Sequence, residues 1–145
     1  MRRLVGFLLP LVLMAPLPAA DGLDPKAIVI TAPEKIQWTG TNPKQAILYG
    51  DPSKPGLYIV LTKWLPGGMS RPHFHPNDRY ITVISGTWWV GTGPKYDPPS
   101  TVPLKAGSYV VHTGKEVHYD GAKDEEVVLQ IVGMGPATST NAEAK

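Results

Sequence analysis

Gly67-Gly-Met-Ser-Arg-Pro-His73-Phe-His75-Pro-Asn-Asp-Arg79-Tyr-Ile-Thr-Val-Ile-Ser-Gly86 is the stretch on which the reading of this chain turns. Its second half, Tyr80–Ser85, is a run of β-branched residues closed by a glycine, the pattern of a short strand ending in a tight turn. In extended backbone, successive side chains point to opposite faces, so His73 and His75 share one side and Phe74 takes the other. Two imidazoles on one face can share a metal ion, and a third nitrogen can come from a distant strand brought alongside. The chain has 4 histidines, and the remaining two, His112 and His118, are the candidates for that third position.

Working outward, the pattern of short strands continues in both directions. Apolar, β-branched or aromatic runs occur at Ala27–Thr31, Ala46–Gly50, Leu57–Trp64, Met69–His75, Tyr80–Ser85, Thr87–Gly91, Thr101–Leu104, Ser108–His112, Glu116–Tyr119 and Glu126–Gly133. Turn signals separate them, among them Asp51–Gly56, Pro66–Gly68, Ser85-Gly86, Asp97–Ser100 and Ala106-Gly107. With 16 Pro and 15 Gly in 145 residues, helices would be interrupted too often to form a bundle. The composition therefore predicts an all-β sandwich or barrel of one domain. Residues 134–145 are small and polar and read as a flexible tail. The absence of cysteine excludes thiolate metal sites, redox couples and cysteine nucleophiles.

The first 20 residues read differently from the rest. Met1-Arg2-Arg3 leads into an uncharged apolar run from Leu4 to Leu17, followed by Pro18-Ala19-Ala20, the layout of a secretory signal peptide cleaved near Ala20. The run is too short to span a bilayer comfortably, and Pro10 and Pro16 weaken it as a membrane helix. A periplasmic or secreted mature protein without stable membrane insertion is expected. The formal charge of +2 belongs to this leader: residues 1–20 hold two arginines and no acid, which leaves 12 Lys+Arg against 12 Asp+Glu. With those charges interspersed, no basic stripe of the kind that holds phosphates remains, and nucleic acid is excluded as a partner.

The glycine and histidine spacing resembles the first cupin motif, G-x5-HxH-x3,4-E-x6-G. Gly67, His73, His75 and Gly86 fall in register, with Arg79 at the glutamate position. Gly107, Thr113, Lys115, His118 and Ala122 resemble the second motif, G-x5-PxG-x2-H-x3-N, with Thr113 for Pro, Lys115 for Gly and Ala122 for Asn. The resemblance implies a cupin-type double-stranded β-helix, or jelly-roll barrel, over residues 21–133 with an N-terminal extension. It also implies one divalent metal ion held by His73, His75 and His118. Iron is the first expectation, with Mn, Zn, Ni or Cu as alternatives, since imidazole accepts them all.

Arg79 is the departure with chemical consequences. A guanidinium stays protonated and cannot be a ligand, so three neutral imidazoles remain, as in some cupin dioxygenases. No carboxylate neutralises the ion, and Arg79 adds charge if it reaches the cavity. A small anionic substrate follows, one oxygen at the metal and another forked by Arg79. Arg79 and Tyr80 are the catalytic candidates, although a regular strand would turn Tyr80 away from Arg79. Asp78 or Asp120 could pair with Arg79, Glu116 could replace the missing carboxylate, and His112 reads as a residue behind the ligands or a structural one. One of Trp88 and Trp89 must face inward and the other outward, and an outward indole suggests a homodimer. Trp64, Phe74 and Tyr109 read as core packing.

Three functions stay open at this level: a metal-dependent, dioxygenase-like oxidoreductase, a module that binds metal or a small ligand without turnover, and an interaction protein with inert histidines.

Overall fold

A computed structural model describes residues 22–145, so the leader read at 1–20 lies outside the described residues. The chain divides into two units, one ending at Ile30 and one running from Thr31 to Lys145. Within the first, the backbone N–H groups of Ala27 and Ile28 both donate to Asp24 O, and that of Lys26 donates to Asp24 Oδ1. This Asp-centred turn stands where a strand over Ala27–Thr31 was expected, because the aspartate side chain offers the backbone a local partner in place of a sheet neighbour.

The regular structure of the second unit is almost entirely strand. In chain order it holds β1 (Lys44–Tyr49), β2 (Gly56–Trp64), β3 (His73–Phe74), β4 (Arg79–Ser85), β5 (Thr87–Thr92), β6 (Val102–Lys105), β7 (Tyr109–His112), β8 (His118–Gly121), β9 (Val127–Gly135) and β10 (Thr140–Asn141). They form two five-stranded antiparallel sheets, β1-β2-β9-β4-β7 and β10-β3-β8-β5-β6. Among the described residues no helix is long and apolar enough to cross a membrane. The all-β expectation holds.

Strict alternation makes the core. On β2, Tyr58, Val60, Thr62 and Trp64 face inward, and on β9, Val127, Leu129 and Ile131 do the same. Ile81 and Val83 of β4, Trp88 of β5 and Ala122 just after β8 join the cluster. Each such aliphatic side chain contributes about 1.5–3 kcal/mol by leaving water. Tyr109 was expected in this core but is 64% exposed. It lies an odd number of residues from the inward-facing His112 on edge strand β7, so the pleat turns it outward.

The motif glycines occupy turns. Gly67, Gly86 and Gly107 all have positive φ, and at Gly86 a Cβ would collide with the carbonyl oxygen of Glu126, so both conformation and space demand glycine there. The expected strand over Met69–His75 shortens to two residues because Pro72 has no N–H to give a ladder, and Met69 contributes only an isolated bridge to Gly121.

The segment expected to be a flexible tail is instead placed along the second sheet. β10 pairs with β3, Thr140 opposite Phe74 and Asn141 opposite His73. Ala142 N–H donates to Pro72 O at 2.9 Å, and Ala144 N–H to Pro94 O at 2.8 Å. The Glu143 carboxylate accepts from Arg71 Nε at 2.8 Å and Nη2 at 2.6 Å, while the same guanidinium lies 3.9 Å over the Tyr96 ring. The outer edge of β3 presents unpaired backbone groups, and a short polar segment satisfies them without needing any apolar residue.

Candidate metal centre

β3 and β8 build the centre from one sheet. His73 lies directly opposite His118 in the antiparallel register, and His75 follows two residues on from His73, pinned where its carbonyl accepts Lys115 N–H at 2.7 Å. The three rings converge, with centroids 4.6 to 5.4 Å apart, and their nitrogens form a group that could hold a metal ion.

Each imidazole is oriented by a backbone carbonyl. His73 Nδ1 meets Arg71 O at 2.8 Å, His75 Nδ1 meets Thr138 O at 2.8 Å, and His118 Nδ1 meets Glu116 O at 3.1 Å. A carbonyl oxygen can only accept, so each Nδ1 carries the proton and each Nε2 presents a lone pair inward. His73 Nε2 and His75 Nε2 face one another at 3.2 Å, and His118 Nε2 is buried with no partner in the protein. Lone pairs aimed at a common point repel unless a cation stands between them. The donor set thus fits a divalent metal ion held by three imidazoles of fixed tautomer.

Burial favours the neutral form of His75 and His118. Desolvation, followed by the Arg79 charge, pushes His75 down to about 3. Desolvation also lowers His118, against the opposing pull of the Asp120 carboxylate. Neutral imidazole is the ligating form, so protons compete little at neutral pH.

The other sheet supplies the opposite wall. Arg79 on β4 and His112 on β7 are cross-strand partners, and both face a cavity of about 440 Å³ between the sheets. The Arg79 guanidinium contacts His75 Nε2 through Nη1, while its Nε is buried without a partner. His112 is buried, its ring 3.8 Å from that of His118 and 5.3 Å from Trp88, with neither ring nitrogen hydrogen-bonded. Desolvation first, then His118 and Arg79, pushes it down to about 2. Thr62 Oγ1, on the same wall, also lacks a partner. Such buried polar atoms cost about 1–3 kcal/mol each when unsatisfied, which marks this wall as one that receives a polar ligand.

Other expected site residues are placed elsewhere. Tyr80, a catalytic candidate, is 44% exposed on the outer face of β4. Register there runs regularly from Arg79 to Val83, so no bulge turns Tyr80 inward, and the assignment is corrected. Asp78 Oδ1 accepts Gly114 N–H at 2.7 Å and ties two loops together instead of pairing with Arg79. Glu116 keeps its carboxylate exposed, and its carbonyl orients His118. Trp88 is the inward indole, donating to Asp120 Oδ1 at 3.2 Å, whereas Trp89 faces out under Lys123 Nζ at 3.7 Å. Trp64 lines the cavity as well as the core. One feature was missed from sequence. The carbonyl of Thr138 and the side chains of Ser139 and Asn141 form part of the site, and no compositional signal announces them. Asp120, expected only as a partner for Arg79, makes no ion pair with it and lines the cavity, in keeping with its spacing of two from His118 on one strand.

Three solved structures show how this architecture relates to known proteins. The polyketide cyclase RemF from Streptomyces resistomycificus superposes with a TM-score of 0.67 at 16% identity, covering 81% of this chain and 87% of that one. An uncharacterised conserved protein with a double-stranded β-helix domain from Klebsiella pneumoniae gives 0.60 at 22% identity, over 80% of this chain and 97% of its own. The cupin-2 domain protein Rru_A2000 from Rhodospirillum rubrum gives 0.60 at 12% identity, covering 78% of each chain. No protein-family profile matches the chain, and no curated protein matches it by sequence. The chain has the cupin fold, a double-stranded β-helix, and within that fold it carries a histidine cluster suited to a metal ion.

Proposed function

We propose that this chain is an exported cupin that binds one divalent metal ion through His73, His75 and His118 and uses it, dioxygenase-like, on a small anionic substrate held beside Arg79. Three Nε2 lone pairs converge, each with its Nδ1 committed to a backbone carbonyl, and that single observation carries the reading. When bound, the metal would organise substrate and oxygen at open coordination positions, with Fe(II) the first candidate and Mn, Zn, Ni or Cu the alternatives. Arg79 reaches the cavity and supplies positive charge where an anion would sit. Elemental analysis of the purified protein should find about one metal per chain. A preparation that stays empty after reconstitution with each candidate metal sinks the proposal. Oxygen uptake with thiols, diketones and phenolic acids under Fe(II) loading tests the chemistry separately.

A second reading is favoured by Arg79 itself. A cation touching the metal-facing nitrogen of His75 stands where a glutamate would tune the ion, which suits a module that binds metal or ligand without turnover. Thermal stabilisation by a ligand with no product formed separates this from the enzyme. Export rests on the leader at residues 1–20, and N-terminal sequencing of periplasmic material checks it. A homodimer through the face bearing Trp89 is checked by light scattering.

A further inference from the structure

We propose that metal and carboxylate anion bind this cavity as a thermodynamically linked pair, with Arg79 the residue that couples them. The proposal rests on the three-histidine reading above and adds how the site is charged and filled.

Arg79 is poorly provided for by its own protein. It takes part in no ion pair among the described residues, its Nε has no partner, and its Nη1 is directed at His75 Nε2, the lone pair that a metal would need. Tyr58 and Asp120 act on it only through space, and Asp120 is already engaged by the Trp88 indole. Without an ion, the formal charges of Arg79 and Asp120 offset each other across the cavity that both line. Nothing then requires an anion.

A divalent ion changes that balance. It brings two positive charges into a partly dehydrated space with no new negative one, and it requires Arg79 to release His75 Nε2. Both costs fall if an anion enters with the ion. A carboxylate is the matching chemistry, because its two oxygens can serve the metal side and the planar guanidinium fork at once. In the cupin pattern that this sequence resembles, a glutamate at this position supplies the negative charge permanently. Here the ligand would supply it. Linkage makes the effect reciprocal: the factor by which carboxylate tightens metal binding is the factor by which metal tightens carboxylate binding.

The test is a Co2+ titration of the full mature chain, in acetate and in chloride at equal ionic strength. Acetate should tighten Co2+ binding by about tenfold or more, the size of a typical coupling between sites, and chloride should not. Arg79→Gln, with folding verified by its melting curve, should bind Co2+ more tightly than wild type in chloride and lose the acetate effect. Equal wild-type affinity in the two buffers overturns the coupling while leaving the metal site standing, and so does a full acetate effect in Arg79→Gln. Failure of Co2+ to bind in either buffer overturns the three-histidine reading itself. The wild-type comparison decides the matter even where the variant does not fold.

Discussion

His75 Nδ1 donates to the carbonyl of Thr138 at 2.8 Å, a bond between residues 63 positions apart that sets the tautomer of an imidazole in the candidate metal centre. Hydrogen bonds behind a ligand of this kind fix ring orientation, and their loss typically costs 10–100-fold in metal affinity. Deleting residues 137–145 should therefore weaken Zn2+ binding by about tenfold or more in a competition titration with a chromophoric chelator. Glu143→Gln, which loosens only the exposed clasp to Arg71, should change stability by less than about 1 kcal/mol and leave Zn2+ affinity near wild type.

Side chains that present nitrogen to the common point should separate from those that do not. His73→Ala and His118→Ala should each lose bound metal in equilibrium dialysis. Tyr80→Phe should retain it fully, since Tyr80 lies on the outer face. Loss of metal in Tyr80→Phe would contradict the register of β4.

Lys115 adopts φ of 69°, the left-handed region in which a side chain is strained, at the position where the second cupin motif has glycine. Lys115→Gly should stabilise the protein by about 0.5–1 kcal/mol, the relief of strain exceeding the extra chain entropy lost on folding. Chemical denaturation at neutral pH would show it as a raised midpoint with an unchanged slope.

Acid should destabilise the metal-free protein over a defined window. His75 and His112 have folded values of about 3 and about 2, both below the value of 6.5 for the unfolded chain. Between these limits the unfolded state binds more protons than the folded one. The stability from keeping these rings neutral is therefore complete above pH 6.5 and is lost progressively as pH falls toward 3. Melting temperatures across this range should decline toward acid. His112→Phe, with one titrating ring removed, should flatten the decline.

Much of the architecture was legible because it depends on local rules. Alternation along Leu57–Trp64 and Tyr80–Ser85, and glycines at 67, 86 and 107, announce strands and turns wherever they occur. The histidine triad could be read for the same reason: spacing of two places His73 and His75 on one face, and the motif frame picks His118 over His112. What escaped was long-range and carried by backbone. Thr138 acts through its carbonyl, which every residue possesses, and the pairing of Asn141 with His73 depends on an open strand edge that no side chain advertises. Tyr109 misled because an aromatic residue in a strand signals burial only once the sheet position of that strand is known.

Of the three histidines in the candidate metal centre, His73 and His118 belong to the sheet containing β3 and β8 and His75 follows β3 directly, whereas Arg79 and His112 belong to the sheet containing β4 and β7. The candidate ion site and the wall that faces it are in this way carried largely by separate sheets, joined where Arg79 touches His75 and His112 stacks beside His118. Substitutions at Arg79, His112 and Thr62 can diversify what the cavity accepts while the β3–β8 ladder that gathers the imidazoles stays intact. A library confined to the Arg79–His112 wall would leave the β3–β8 ladder in place, while changes at Arg79, which touches His75, should move ion affinity together with ligand choice.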